Sequence, residues 1–253
     1  MIPANLIINA DDFGLDARVS RAIGLCLDEG LINSFSVFPF FDSYTAALLG
    51  SILVKHPTVK VGAHLALVGS AKEEHRDHYK DFLRRYLSGK ISAANVKAIW
   101  RAQIEDLGVH LGGTDRISHL DSHQHLHVLP GLWQAAKSLQ EEFSIPRLRV
   151  PYESLVRAVG YRFPFGLGMQ ALARMRVGKD TPGFIGFFTS TCFTVEGNRS
   201  GLARVGRKPE KMFELMVHPA LPAPGDSGES AMLVPAQKAE VGELRKLKAL
   251  SVL

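Results

Sequence analysis

Leu6-Ile7-Ile8-Asn9-Ala10-Asp11-Asp12-Phe13-Gly14-Leu15-Asp16 opens the chain on an apolar run that stops at two carboxylates and a glycine. Residues 6–9 have the composition of a short buried strand. From Asp16 the period changes: Val19, Ile23, Cys26 and Leu27 fall on one face of a helix, and Gly30 is placed to end it. A buried strand that feeds an amphipathic helix through a polar turn is one βα unit.

The same alternation continues outward. Strands are expected at 34–38, 59–65, 119–126, 148–150, 184–192 and 213–217, and helices at 44–55, 95–107, 132–143 and 169–177. Residues 76–101 read as polar and helical with a break near 88–92, and 163–168 read as loop. The pattern predicts an α/β fold with parallel strands. The 253 residues are read as a single domain, 1–253, with a weakly patterned insert at 152–212 and a C-terminal helix at 235–250.

With 46% hydrophobic and 22% charged residues the chain can fill a core, which sets aside disordered and fibrous classes. The net charge of +5 is dispersed and no nucleic-acid motif accompanies it, so no nucleic-acid partner is expected. The basic stretches 174–179 and 204–211 leave a phosphate-bearing substrate or an acidic membrane surface open. No run approaches the roughly 20 apolar residues of a membrane span. The start lacks a secretory pattern, and Cys26 and Cys192 lack ligand spacing, so a cytoplasmic protein with reduced thiols is expected. A homodimer stays open.

Asp11, Asp12, His64, His123 and His218 each fall at or just beyond the C-terminal end of an expected strand, the edge where parallel α/β folds bind ligands. Two adjacent carboxylates in one site oppose each other's ionisation unless a cation intervenes. One can then hold the ion while the other moves a proton. The alternative is a turn in which one aspartate caps the next helix.

His119-Leu120-Asp121-Ser122-His123-Gln124-His125-Leu126-His127 is the densest signal. An extended strand would place 119, 121, 123, 125 and 127 on one face, four imidazoles and a carboxylate suited to a transition metal. A solvated edge is the alternative, opposed by the flanking Leu120, Leu126 and Val128. Catalytic metal sites use about three protein ligands, so not every histidine here can be one. There is no phosphate-binding glycine loop and no GxSxG elbow, which removes nucleotide and serine chemistry.

Together NADDFG at 9–14, VGAHLAL at 61–67, HLDSHQHLHVLPG at 119–131, RVPYE at 149–153 and ELMVHPA at 214–220 resemble the YdjC-like (ChbG) carbohydrate deacetylase family. That family includes chitooligosaccharide deacetylases and hopanoid-biosynthesis-associated members. The motifs keep the family's order from end to end of the chain. Residues 68–74 depart from it, lacking the Gly-Lys/Arg-Pro turn of many members.

The resemblance implies a distorted (β/α) barrel related to polysaccharide deacetylases. It implies one divalent ion, Mg2+ or Zn2+, held by Asp12, His64 and His123. Asp11 would be the general base, His218 the general acid, and Arg149 the residue that orients the base. His125 and His127 would lie behind the ligands or face substrate, and Asp121 is grouped with them on the substrate side. The implied reaction removes an N-acetyl group from an amino sugar, free or lipid-linked. The rivals are a metal-dependent phosphoesterase and a sugar-binding protein without catalysis.

Overall fold

The structure, a computed structural model, describes residues 2–39, 41–68, 79–154, 164–190, 192–222 and 235–250. The chain begins β1 (Leu6–Phe13), α1 (Ala17–Asp28), β2 (Ser34–Val37), α2 (Ser43–Lys55) and β3 (Lys60–Leu65). Then come α3 (Tyr79–Leu87), α4 (Ala93–Leu111), β4 (Ile117–Ser122) and α5 (Leu132–Glu142). Last are α6 (Pro164–Arg174), β5 (Gly183–Ile185), α7 (Arg199–Arg207), β6 (Phe213–Val217) and α8 (Pro235–Ala249). The α/β class expected from the sequence is what forms.

The residues gather into two compact units, Met1–Phe13 with Ala17–Phe35 and Val150–Leu253, and Gly14–Asp16 with Ser36–Arg149. In the first, β1, β6 and β5 lie side by side and parallel, with Leu6 opposite Phe213, Ala10 opposite Val217 and Ile185 opposite Leu215. Leu6, Ile8, Ala10, Leu215 and Val217 share one face and are buried, and Asn9, Glu214 and Met216 on the opposite face are buried too, since strand neighbours point to opposite faces. Helices therefore cover both faces, the usual condition of a parallel sheet. One of them, α1, buries Val19, Ala22, Ile23, Cys26 and Leu27.

In the second unit β3 and β4 run parallel, with Ala63 opposite Leu120 and His64 opposite Asp121. Asp42 caps α2 by accepting from the Thr45 N–H at 2.8 Å. Ser92 caps α4, and Gly112 in the left-handed region (φ 80°) ends it. Between those caps Val96, Trp100, Ile104, Leu107 and Leu111 supply a helical stripe of core residues.

Several expectations are corrected. β4 stops at Ser122, and residues His123–Val128 form 3-10 turns with Gln124 (φ 57°) and His125 (φ 54°) in left-handed conformations. The single-faced histidine stripe therefore ends after Asp121. Residues 148–150 make only a bridge, Leu148 to Leu120. The strand expected at 184–192 is just Gly183–Ile185. The described part of the 163–168 loop is instead the start of α6, where Pro164 suits the first helical position because it has no N–H to leave unpaired. α7 was not anticipated. No helix among the described residues is long and apolar enough to cross a membrane.

Candidate active site

The first unit carries a carboxylate and imidazole edge. Asn9 and Asp11 sit two residues apart on β1 and so share a face. The Asn9 amide donates to Asp11 Oδ1 at 2.7 Å, and Ser34 Oγ donates to Asn9 Oδ1 at 2.5 Å. The serine thereby fixes which end of the amide faces the aspartate. Asp12 has a left-handed backbone (φ 71°) that turns it out of the strand's alternation. An L-residue there costs about 1–2 kcal/mol, least for Asp and Asn. Both aspartates are nearly inaccessible, at 1% and 4% exposure.

One step beyond the Ala10–Val217 pair, Asp11 and His218 continue the two parallel strands. The His218 backbone N–H donates to Glu240 Oε2 at 2.5 Å, and its ring Nδ1 has no hydrogen-bond partner among the described residues. Glu240, on α8, also accepts the Phe193 N–H at 3.0 Å. Burial pushes its carboxyl above the ordinary carboxylate range, nearby His218 and the two N–H donors oppose the shift, and Asp11 adds to it.

The second unit carries an imidazole cluster organised by Asp121. Its Oδ1 meets His64 Nδ1 at 2.9 Å, while Oδ2 accepts from Arg149 Nη1 and Ser36 Oγ, each at 2.7 Å. The chain at 147–149 is held beside β4 by Leu120 N–H to Arg147 O and Arg149 N–H to Leu120 O, which brings Arg149 to the aspartate. Burial opposes the Asp121 charge, but Arg149, His64 and His119 outweigh it and hold the carboxyl well below its usual range.

An ionised carboxylate only accepts, so His64 carries its proton on Nδ1 and turns the Nε2 lone pair outward. That Nε2 stands 3.4 Å from His123 Nδ1. The separation is long for a hydrogen bond. Two imidazole nitrogens about 2.0–2.1 Å from one tetrahedral ion would lie about 3.3–3.4 Å apart. The donor pair fits a shared divalent cation, and Phe38 borders both rings, at centroid distances of 6.1 Å from His64 and 5.3 Å from His123.

Two residues grouped on the substrate side from the sequence, Asp121 and His127, lie buried. Asp121 is fully buried and bonded to His64, Arg149 and Ser36. His127 is equally buried, with Nε2 donating to the Arg149 carbonyl at 2.9 Å and Nδ1 accepting from Ser122 Oγ at 2.6 Å. Burial pushes its ring down to about 4, so it stays neutral and braces the Arg149 backbone. His125 is partly exposed on the turn, and desolvation of its ring, aided by the charges of Arg149 and His127, keeps it well below its ordinary value.

Sequence reasoning missed Glu240 and Ser36, and gave His119 a place in the stripe but no role of its own. His119 is buried between Ser36 Oγ (3.1 Å) and Ser118 Oγ (2.8 Å), where it helps hold the Asp121 charge. Glu240 lies in the buried helical stripe with Val241, Leu244 and Leu247, and a glutamate among those positions was the available signal. Cys26 offers no nucleophile, since burial and then Glu29 push its thiol up to about 12.

Similar proteins place this chain. Residues 5–250 match the model of the YdjC-like protein family. A Brevibacillus brevis protein named carbohydrate deacetylase is 27% identical over 218 residues, 85% of this chain and 81% of that one. A mouse protein of the same name is 25% identical, over 88% of this chain and 80% of its own. A Vibrio parahaemolyticus protein, also so named, is 30% identical over 148 residues, and there the chain spans only 57% of its relative. Among solved structures, a putative cellobiose-phosphate cleavage protein from Enterococcus faecalis shares the fold, with a TM-score of 0.70, 20% identity and 98% and 92% of the two chains covered. The chain belongs to the YdjC-like protein family.

Proposed function

We propose that the chain is a carbohydrate deacetylase that uses a divalent ion to hydrolyse the N-acetyl group of an amino sugar, releasing acetate and a free amine. The observation that carries the reading is the His64–His123 pair, two nitrogens 3.4 Å apart with the His64 tautomer set by Asp121. The family resemblance gives Asp12 as the third donor, for a set of one carboxylate and two imidazoles. That set favours zinc-like ions over magnesium by ligand preference. Bound there, the ion would supply Lewis-acid polarisation of the amide carbonyl and a more acidic water.

The chain's own residues handle the protons. Asp11, steadied by Asn9, takes the proton of the attacking water. His218 gives a proton to the amine nitrogen as the C–N bond breaks, because an unprotonated amine leaves poorly. Arg149 holds Asp121, and the family resemblance gives it a second role in orienting Asp11. The small recess lined by Val37, Phe38, Leu65 and Leu107 beside His64 suits an acetyl methyl.

A phosphoesterase with two ions would need a bridging carboxylate. The nearest spare one, Asp121, already serves Arg149, His64 and Ser36. The test is product analysis: N-acetylated chitooligosaccharides should yield acetate and free amine in equal amounts, and phosphorylated sugars should yield no phosphate. Phosphate release without acetate would reverse the reading.

A further inference from the structure

Buried carboxylates need partners, and Glu240 has an unusual pair. It comes from the inner stripe of α8, is 0% exposed, and spends both oxygens on backbone N–H groups far away in sequence. Oε2 takes the His218 N–H at the end of β6, and Oε1 takes the Phe193 N–H. One turn further along α8, Glu243 Oε2 takes the Val195 N–H at 2.9 Å, and the Gln237 carbonyl takes the Ala220 N–H at 3.2 Å. The helix thus grips residues 193–195 and the chain leaving β6. Among the described residues of the helix, Glu240 is the one that bonds to His218 itself.

The stem of His218 is therefore held by a charge-assisted bond, a class about twice as strong as a neutral one. The bond fixes where the imidazole starts without occupying the ring, whose Nδ1 lacks a partner among the described residues. A mere structural tie could use any acceptor. Glu240 instead places a carboxylate beside the ring that has to carry a proton, and the influence of His218 and Asp11 on its own acidity shows that the three groups share one field.

We propose that Glu240 is the positioning residue of His218, holding it at the end of β6 so that its ring can deliver a proton to the departing amine. The inference rests on the reading of His218 as that donor. Glutamine cannot replace Glu240: both oxygens accept, and an amide would turn an N–H donor toward one of the two backbone N–H groups. Glu240→Gln should release one of them.

The test uses the full-length, ion-loaded protein, N,N'-diacetylchitobiose as the amide and p-nitrophenyl acetate as a substrate with a good leaving group. Glu240→Gln should lower kcat on the amide about 10- to 100-fold with KM little changed, and should spare the ester. In a His218→Ala background the same change should cost nothing further. Glu243→Gln, which loosens the same helix without touching His218, should leave kcat unaltered. Amide hydrogen exchange at His218 should quicken in Glu240→Gln and not in Glu243→Gln. If Glu240→Gln fails to fold, Glu240→Asp, a shorter acceptor-only group, should show the same selective loss.

The failures separate. Equal losses on amide and ester in His218→Ala would remove the donor role, and the Glu240 assignment with it. A selective His218→Ala loss combined with an undiminished Glu240→Gln penalty in that background would overturn the Glu240 assignment alone.

Discussion

Replacing Asp121 with asparagine tests the centre of the imidazole cluster. The carboxylate is fully buried and accepts three bonds, from His64 Nδ1, Arg149 Nη1 and Ser36 Oγ. Asparagine would present an N–H to one of those donors and leave the buried Arg149 guanidinium without its counter-charge. Removing one partner of a buried pair costs about 3–5 kcal/mol. At about 2–4 °C per kcal/mol for a chain of this size, melting should fall by about 6–20 °C. The Asp121 carboxyl is depressed in the folded state, so its contribution is present above the unfolded value of about 3.9 and is lost as pH falls through the lower folded value. The stability gap between wild type and Asp121→Asn should be constant above about pH 5 and close below about pH 4. Urea titrations of ion-free protein at a series of pH values measure it. A loss under about 1 kcal/mol, typical of exposed pairs, or a gap unchanged down to strong acid would refute the buried-pair account.

Asp11→Asn should keep the bound ion and lose nearly all turnover, whereas Asp12→Asn should lose the ion; equal ion loss on dialysis would contradict their separate roles. His127→Ala should lower stability, since Ser122 and the Arg149 carbonyl lose their shared partner, while ion affinity falls less than in His123→Ala; direct ion titration of both variants decides it. Gly62→Ala should destabilise by about 1–3 kcal/mol through overpacking, because its methyl would lie 2.2 Å from His119 Nε2. A thermal melt superimposable on wild type would show that β4 yields more easily than the packing implies.

Much of this arrangement was legible because strand periodicity is simple. Apolar runs that stop at Asp11, His64 and His218 marked strand ends: His64 is the penultimate residue of β3 and His218 follows β6, while β1 runs on past Asp11 to Phe13. The histidine stripe failed for a local reason. Gln124 and His125 take left-handed backbones that no glycine announces, so the two-residue period ended at Ser122. Helix α7 escaped notice because only Leu202 and Val205 bring large apolar side chains to its buried face. Glu240 was legible only as a glutamate within an apolar helical stripe, because its partners are backbone N–H groups, which leave no mark in sequence. The roles of Asp121 and His127 were hidden likewise: spacing gives a face, but not which ring nitrogen meets which acceptor.

Ion content and acetate release, measured on the same samples, test the central claim most directly. Chelated protein would be titrated with Zn2+ or Mg2+ against N-acetylated chitooligosaccharides, alongside His64→Ala and His123→Ala. Acetate release should rise in step with a single bound ion and stay absent in both variants. Full acetate release from ion-free protein, or none at saturation with either ion, would contradict the account.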